Sequence, residues 1–516
     1  MERKQKIVVI GVNHAGTTAL KAIMRSNPNS EVVAYDRNDN ISFLGCGIAL
    51  WVGKEFTDPK GLFYATIEKL RALGVKIKEK HEMIKYDSKA KIVTIKNLDT
   101  NEVFTESYDK LVLGIGSWPI LNPGGKEIPG LIAHKDGVVV KDTLNGVKLT
   151  NGIHLSKLYQ HAQEIISDLS KPEVKKVVVI GAGYIGIELV EAFYKDKKEV
   201  TLIDFENRIM PRYYDEEFTN DVEADMKKVG VKLQLGETLQ EFIIKDDKVS
   251  EVKTNKGTYK ADLVIMAVGF LPNTAILKDE NGKVQLSLDP RGAIEVNEYF
   301  QTSDPNVYAI GDCINIRSNA WNKNVNIALA TNAVRSGLIA GLNVAKTDPK
   351  TRIAFPGVQG TNAIAVFGWK LCATGLSEVS AKAILGSNNV EAYFYQDTVF
   401  PPFMSENHEV KIKIIWEKSS RRIVGAEIGS THDHTETIAM FSLAILKKVT
   451  IDEIPLIDMY FLPHFNKPYN FVTAAALLAT GILTKEDVTY PDPYLKGKKK
   501  IDCLIKLILR GIKYNG

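Results

Sequence analysis

Cys46 is the residue of this sequence best suited to redox chemistry. It lies in the segment Ile41-Ser-Phe-Leu-Gly-Cys-Gly-Ile-Ala-Leu50, where the flanking glycines let a ligand approach the backbone. We expect it near the start of a helix, whose dipole would favour the thiolate over the thiol. Spacing alone leaves two interpretations open, because a free cysteine is more often a buried structural residue than a reactive one.

The other three cysteines provide no recognisable partner for Cys46. Cys313, Cys372 and Cys503 are far apart and no C-x-x-C pair exists, so we expect neither a zinc site nor a dithiol pair. We expect Cys313 to pack near a cofactor without reacting, and the other two to be structural. Few cysteines in a long chain are typical of a reducing compartment, and we expect a cytoplasmic protein.

A glycine-rich loop between a predicted strand and a predicted helix indicates a dinucleotide site. Gly181, Gly183 and Gly186 follow the apolar run 175–180. They permit a tight turn, the approach of a pyrophosphate and close packing of helix on strand, and the helix N-terminus attracts the phosphates. Asp204 follows the next apolar run, where a ribose-binding carboxylate belongs. These features together favour a nucleotide site over a turn that binds nothing.

The charges around Asp204 predict the nucleotide. A carboxylate accepts a hydrogen bond from a ribose 2′-hydroxyl and repels a 2′-phosphate. Glu206 adds negative charge, while Arg208 is the only cation nearby in the sequence. We therefore expect NADH rather than NADPH.

A second glycine loop, Gly11-Val-Asn-His-Ala-Gly16, begins the chain's first strand–helix unit and has Asn13 where the middle glycine belongs. Asp36 ends the strand that follows, so we expect this loop to hold the adenosine diphosphate half of FAD.

The run Val307-Tyr-Ala-Ile-Gly-Asp312 predicts another buried strand. In flavoproteins with two dinucleotide domains, an aspartate so placed contacts the ribityl chain; the alternative for Asp312 is a helix cap.

His14 in the first loop is either a donor at the helix end or an acid–base group near the flavin. We predict Cys46 and His14 as catalytic residues. The predicted cofactor-binding residues are Gly11, Asn13, His14, Ala15, Gly16, Asp36, Arg37, Cys46, Gly116, Ser117, Gly181, Gly183, Tyr184, Ile185, Gly186, Asp204, Gly269, Asp312 and Ala330.

The overall composition is that of a soluble globular enzyme. The 66 basic and 62 acidic residues nearly cancel, which gives no argument for nucleic-acid binding. The apolar run near the N-terminus is too short for a signal peptide, and no apolar run is long enough for a transmembrane helix. The stretch after residue 495 predicts a basic amphipathic helix, packed on the protein or, less favoured, resting on a membrane surface or stabilising a dimer.

The order of the predicted elements indicates an α/β fold with two Rossmann-like domains and a C-terminal α+β domain. If the strand ending at Asp312 returns to the first sheet, the second domain is inserted into the first. We predict an FAD-binding domain over 1–125 and 295–348, an NADH-binding domain over 126–294, a C-terminal domain over 349–484 and a tail over 485–516. The segment 122–150, rich in glycine, proline and lysine, is expected to be a surface linker or insertion.

Several of these stretches resemble the single-cysteine pyridine nucleotide–disulfide oxidoreductases, in particular the water-forming NADH oxidases. The resemblance spans roughly residues 6–483. The matching stretches are Gly11-Val-Asn-His-Ala-Gly-Thr17, Tyr35 to Leu50, Gly181-Ala-Gly-Tyr-Ile-Gly-Ile-Glu188 and Phe461-Leu-Pro-His-Phe-Asn-Lys-Pro-Tyr469.

The resemblance implies a glutathione-reductase-like homodimer that uses FAD and NADH and reduces dioxygen to water. It implies that Cys46 cycles between thiolate and sulfenic acid, that His14 handles protons, and that the C-terminal domain brings Pro463 and His464 near the partner's flavin. Disulfide-type relatives have a second cysteine where this chain has Trp51, so a dithiol cycle is excluded.

The same scaffold leaves other electron acceptors open. Peroxide, coenzyme A disulfide or a persulfide could each react with Cys46 in place of dioxygen. The stretch Tyr460-Phe-Leu-Pro-His-Phe465 is closer to the oxidase form than to coenzyme A disulfide reductases, which present tyrosines to their substrate. An alternative from another functional class is a protein without catalytic activity, either a redox sensor or an interaction protein, in which flavin is a structural element.

Overall fold

The computed structural model describes residues 4–135, 138–142, 144–346 and 348–489. The chain divides into two compact units. Within the described residues, unit one comprises 4–211, 219–318 and 322–358, and unit two comprises 212–218, 319–321 and 359–489. The amphipathic helix predicted after residue 495 lies outside the described residues.

The first sheet of unit one is entirely parallel. Its strands, in spatial order, are Val307–Ala309, Lys110–Leu113, Lys6–Ile10, Glu31–Tyr35 and Lys76–Lys78. Nearly all of their valine, isoleucine and leucine side chains are buried, as in a parallel sheet covered on both faces. The strand before Asp312 pairs with Lys110–Leu113, so the intervening chain is inserted within this first fold.

The second sheet of unit one repeats this plan. Its parallel strands, in spatial order, are Ile153–Leu155, Leu263–Met266, Lys176–Ile180, Glu199–Asp204 and Lys232–Leu235. The helices that follow the two glycine loops are His14–Ser26 and Tyr184–Lys195. Each loop therefore lies at the carboxyl end of a central strand, where open α/β sheets bind their ligands.

The helix His14–Ser26 packs very closely on the helix Ala330–Asn343. A Cβ atom added to Gly337 would lie 2.1 Å from the carbonyl oxygen of Ala15, and one added to Gly341 would lie 2.6 Å from that of Ala19. Only glycine permits this approach, which fixes the first glycine loop against Ala330–Asn343.

Unit two is built on an antiparallel sheet. Its strands, in spatial order, are Asn362–Val366, Trp369–Gly375, Ile423–Ser430, Glu409–Glu417 and Val390–Thr398. The helices of its α+β fold are Glu378–Leu385, Ile438–Lys447 and Phe471–Ala479. The strands Glu409–Glu417 and Ile423–Ser430 form a hairpin around the charged turn 417–422.

Smaller elements complete the two units. The remaining helices are Ile48–Val52, Ile67–Ala72, Tyr159–Leu169, Glu216–Lys228 and Lys485–Val488. The remaining longer strands are His81–Asp87, Ile92–Asn97, Val103–Ser107, Leu239–Lys245, Lys248–Thr254 and Ile314–Ser318. The short strands are Ser117–Pro119, His134–Lys135, Val138–Val139, Lys141–Asp142, Gly146–Val147, Thr258–Lys260, Phe270–Pro272, Ile294–Glu295 and Lys323–Val325. In the part of the chain that the structure describes, no helix has the length and apolar character needed to cross a membrane.

The segment 122–150, for which a surface linker or insertion is predicted, is mostly exposed in its described part but contains a few buried residues. Leu131 and Leu149 are buried in a cluster that also contains Ile128 and Phe242. Between the two leucines the chain forms two small antiparallel strand pairs. The composition does not predict these strand pairs, because only a few apolar residues of the segment are buried.

Candidate active site

The first glycine loop has the geometry of a phosphate-binding turn. Gly11 has a φ of +87°, and a Cβ there would lie 2.1 Å from the carbonyl oxygen of Gly114. A Cβ on Gly16 would lie 1.8 Å from the carbonyl oxygen of Gly11. Asn13 precedes the helix without capping it through its side chain, which leaves the first-turn N–H groups for an anion.

Asp36 lies beside this loop and is buried. Its carboxylate accepts hydrogen bonds from the backbone N–H groups of Val12 at 2.6 Å and Asn38 at 2.8 Å. Burial raises the pKa of Asp36, while the hydrogen bonds from Asn38 and Val12 oppose that shift. The acid is therefore fixed next to the turn, as a ribose-binding carboxylate must be.

Asp312 belongs to a polar cluster with Ser117 and Lys157. The Oγ of Ser117 donates to Asp312 Oδ2 at 2.9 Å, and Lys157 Nζ donates to the same oxygen at 3.2 Å and to Ser117 Oγ at 2.9 Å. The ammonium of Lys157 also lies 4.5 Å from the centre of the Phe270 ring. Two of these residues were predicted from the sequence, whereas Lys157 was missed; its only signal was its place just after a parallel strand.

His14 is the first residue of its helix and contacts Tyr64. Its Nδ1 lies 3.1 Å from the Oη of Tyr64, and the two rings are parallel with centres 5.6 Å apart. Burial lowers the pKa of His14; Asp312 opposes this shift and Lys157 adds to it. Burial also raises the pKa of Tyr64 to about 12. The pair is therefore a neutral imidazole beside a protonated phenol near neutral pH. Tyr64 was not predicted from the sequence.

Cys46 lies in a tight turn, Gly45–Gly47, that leads directly into the helix Ile48–Val52. It is an exposed free cysteine, but the surrounding protein is dense enough that burial raises the pKa of its thiol. Glu188 and Asp312 raise this pKa further, and Lys157 lowers it. This differs from the predicted bias towards thiolate, because the helix has only one turn and two carboxylates lie within electrostatic reach.

Glu188 is a further group that sequence reasoning assigned no role. It lies on the helix Tyr184–Lys195, which packs against the helix that follows Cys46. Burial, and to a lesser extent Glu191, raises the pKa of Glu188 to about 7. This carboxyl can therefore exchange a proton near neutral pH.

The second glycine loop closely repeats the first. Gly181 has a φ of +109°, and a Cβ there would lie 2.3 Å from the carbonyl oxygen of Ala267. A Cβ on Gly186 would lie 1.9 Å from the carbonyl oxygen of Gly181, while one on Gly183 would meet no atom within 4 Å. The open space at Gly183 is where a pyrophosphate fits. Asp204 accepts hydrogen bonds from the N–H groups of Ala182 at 2.5 Å and Glu206 at 2.8 Å.

The remaining predicted residues fall into two groups. Unit one holds Ala15, Arg37, Gly116, Tyr184, Ile185, Gly269 and Ala330. Gly116 and Gly269 have positive φ values of +66° and +106°, as expected at turns after strands. Pro463 and His464 belong to unit two, in an irregular segment where His464 is exposed.

Comparison with known proteins agrees with this geometry. The model of the pyridine nucleotide-disulphide oxidoreductase family matches residues 5–337, and that of its dimerisation domain matches residues 361–467. An NADH oxidase of Enterococcus faecalis is 42% identical over 92% of this chain and 99% of its own length. An NADH oxidase of Lactococcus lactis is 43% identical over 92% and 100%. The water-forming NADH oxidase of Lactobacillus brevis, solved with NADH bound, is 37% identical with a TM-score of 0.84, covering 93% of this chain and 99% of that one. On this basis the chain belongs to the pyridine nucleotide-disulphide oxidoreductase family.

Proposed function

We propose that this protein is an FAD-dependent NADH oxidase that reduces dioxygen to water through a thiolate and sulfenic acid cycle at Cys46. The observation that carries the proposal is one exposed cysteine in the same unit as two complete nucleotide loops. Trp51 occupies the position of a second cysteine and stacks on Tyr159, so Cys46 works without a dithiol partner. The names of the similar proteins support dioxygen as the acceptor.

The residues of the first loop fit FAD. The turn at Gly11 and Gly16 and the uncapped helix at Asn13 suit its diphosphate, Asp36 suits its adenosine ribose, and Asp312 suits its ribityl chain. When bound, FAD accepts a hydride from NADH and passes electrons on. We assign residues 1–125 and 295–348 to FAD binding, 126–294 to NADH binding and 349–484 to the C-terminal domain.

The chemistry of Cys46 accounts for water as the product. The thiolate attacks hydrogen peroxide that arises from the first pair of electrons. An S–O bond forms as the O–O bond breaks, and the departing hydroxide takes up a proton and leaves as water. A second NADH supplies the two electrons that return the sulfenic acid to thiolate, releasing the second water. In total two NADH, one dioxygen and two protons give two NAD⁺ and two waters.

Three neighbouring residues set the conditions for this cycle. Lys157 lowers the pKa of Cys46 and so favours the nucleophilic thiolate. Glu188, with a pKa of about 7, supplies the proton for the departing hydroxide. His14, neutral near pH 7 and held by Tyr64, donates or accepts a hydrogen bond beside the reacting oxygen.

We infer that the enzyme works as a homodimer through unit two. Large apolar side chains are exposed along one segment of this unit, among them Leu456, Tyr460 and Phe465. Such an apolar patch is typical of a protein interface. We propose that Pro463 and His464, in the same segment, lie near the flavin of the partner.

We also propose that the protein is cytoplasmic, because a reducing cytoplasm suits the exposed thiol of Cys46.

The test of the function is the stoichiometry of the purified protein with limiting NADH in air. We expect one dioxygen consumed for every two NADH and no hydrogen peroxide. One dioxygen per NADH with accumulating peroxide would show a two-electron oxidase instead. Negligible oxygen uptake would reject the oxidase, and peroxide and coenzyme A disulfide would be the next acceptors to test.

A further inference from the structure

The described residues of the segment 131–149, which lies between the two glycine loops in the sequence, form a small folded arm. Its ends are anchored by Leu131 and Leu149, which are both buried. They are tied by backbone hydrogen bonds from the N–H of Thr150 to the carbonyl of Leu131 at 2.9 Å and from Ala133 to Lys148 at 2.8 Å. The arm is therefore part of the folded unit, although neither nucleotide loop needs it.

Near the tip of the arm, the side chain of Asp142 holds the backbone of two residues that follow it. Asp142 Oδ1 accepts hydrogen bonds from the N–H groups of Leu144 at 2.5 Å and Asn145 at 2.9 Å. A side-chain acceptor of this kind fixes the backbone of the residues that follow it. The turn thereby presents the carbonyl of Leu144 and the side-chain amide of Asn145 in set positions.

The carbonyl of Leu144 binds the residue next to the ribose acid of the first loop. Arg37 Nη2 donates to Leu144 O at 3.1 Å, and Arg37 Nε lies 3.4 Å from a carboxylate oxygen of Glu82. Its guanidinium lies 5.3 Å from the centre of the Trp118 ring. Arg37 directly follows Asp36, so the arm supplies one of the contacts that hold the cation beside this acid.

The amide of Asn145 joins the arm to the body of unit one. His161 is fully buried, and its Nδ1 accepts from the N–H of Leu158 at 3.2 Å. Its Nε2 must then carry the hydrogen and donates to Asn145 Oδ1, 2.9 Å away. Burial lowers the pKa of His161 to about 4, so this link persists across the neutral pH range.

We propose that the arm is a brace that retains the adenosine diphosphate half of FAD, by holding Arg37 in place beside Asp36. The inference rests on the assignment of the first loop to FAD. A planar guanidinium fixed by a carbonyl, a carboxylate and an aromatic ring is preorganised to bind an anionic or aromatic ligand group without further ordering. FAD carries both kinds of group, a diphosphate and an adenine, on the ribose whose hydroxyls Asp36 would bind.

The test is the rate at which FAD leaves the holoenzyme, followed by the rise of flavin fluorescence after dilution. Asn145→Ala removes the link to His161 at a partly exposed position of the arm. We expect FAD release to accelerate about tenfold, the effect of one lost hydrogen bond. Val138→Ser, on the exposed surface of the same arm, should release FAD at the wild-type rate.

A second measurement separates retention from general stability. The brace predicts that Asn145→Ala lowers the melting temperature of the FAD-loaded protein more than that of the FAD-free protein. Equal losses in both forms, or wild-type FAD release, would overturn the proposal. Neither measurement depends on turnover with dioxygen. If the proposed oxidase function is wrong, the protein will still bind FAD but will not take up oxygen.

Discussion

Lys157 Nζ and Asp312 Oδ2 lie 3.2 Å apart and share the hydroxyl of Ser117 between them. Asp312 follows the strand Val307–Ala309 of the first sheet, and Lys157 follows the strand Ile153–Leu155 of the second. The pair thus joins the carboxyl ends of both parallel sheets at the place where the two nucleotides must meet. Because Lys157 also acts on the pKa values of Cys46 and His14, its charge is placed to influence both residues that we propose to be catalytic.

Replacing Lys157 should therefore change the acidity of Cys46. Lys157→Met removes the cation that favours the thiolate, so the pKa of Cys46 should rise. The measurement is the rate of alkylation of Cys46 by iodoacetamide as a function of pH, whose midpoint should move to higher pH. Lys157→Arg keeps the charge and should keep the midpoint near that of wild type. An unchanged midpoint in Lys157→Met would mean that the cation serves packing alone.

Asp204 should determine the choice between NADH and NADPH. Asp204→Ala removes the acceptor for the ribose hydroxyl and the repulsion of a 2′-phosphate. We expect kcat/KM for NADH to fall about tenfold to a hundredfold, as for a lost charged hydrogen bond, while kcat/KM for NADPH rises. Glu199→Ala, at the exposed amino end of the same strand, should leave the ratio unchanged. An unaltered preference in Asp204→Ala would place the ribose elsewhere.

The glycine contacts between the helices His14–Ser26 and Ala330–Asn343 should be intolerant of larger residues. Gly341→Val places side-chain atoms where the carbonyl of Ala19 and the Cβ of Ala22 lie. Overpacking of this kind costs about 1–3 kcal/mol, measurable as a lower free energy of unfolding in urea. Leu338→Ala, on the exposed face of the same helix, should cost less. Equal losses for both variants would argue against the close contact.

A largely buried ion pair between the strand Ile153–Leu155 and the helix Tyr159–Leu169 should make stability depend on pH. His154 Nε2 lies 2.8 Å from Asp168 Oδ2. Burial disfavours the charged imidazole, but hydrogen bonds to Asp168 and Glu164 outweigh it and raise the pKa of His154 above 6.5. A raised pKa means that the stabilisation is complete below the unfolded-state value of about 6.5 and is lost as pH rises through the folded-state value.

His154→Gln should consequently destabilise the protein more at pH 6 than at pH 9. Chemical denaturation at both pH values measures the difference in the free energy of unfolding from wild type. The opposite carboxyl should not mask the effect, because His154 and Lys171 hold the pKa of Asp168 well below its usual range. A loss that is the same at both pH values would show that the histidine is neutral in the folded protein.

The parts of the site that were predictable from the sequence are local in the chain. Gly11 and Gly181 are identifiable because a strand, a tight turn and a helix follow one another within a few residues. Asp36 and Asp204 are identifiable because each ends the next strand of its sheet. The contacts seen at these positions, such as that of Asp36 with the N–H of Val12, join residues already close in sequence.

The parts that were missed depend on distant segments. Lys157 meets Asp312 across 155 residues, and Tyr64 meets His14 across 50 residues; neither has a local motif. The helix was expected to favour the thiolate of Cys46, but burial raises the pKa of this thiol, and Glu188, far away in sequence, raises it further. The segment that contains the arm was predicted as a surface linker or insertion because it is rich in glycine, proline and lysine, and its strand pairs were not predicted.

The measurement that tests the central claim most directly is the product of Cys46→Ser with limiting NADH in air. If the Cys46 thiolate cleaves the peroxide, this variant must stop at two electrons, consuming one dioxygen per NADH and releasing hydrogen peroxide in equal amount. Cys372→Ser changes a buried cysteine of unit two. This variant should still consume one dioxygen per two NADH and release no hydrogen peroxide. Complete conversion of dioxygen to water by Cys46→Ser, with FAD bound, would contradict the proposed role of Cys46.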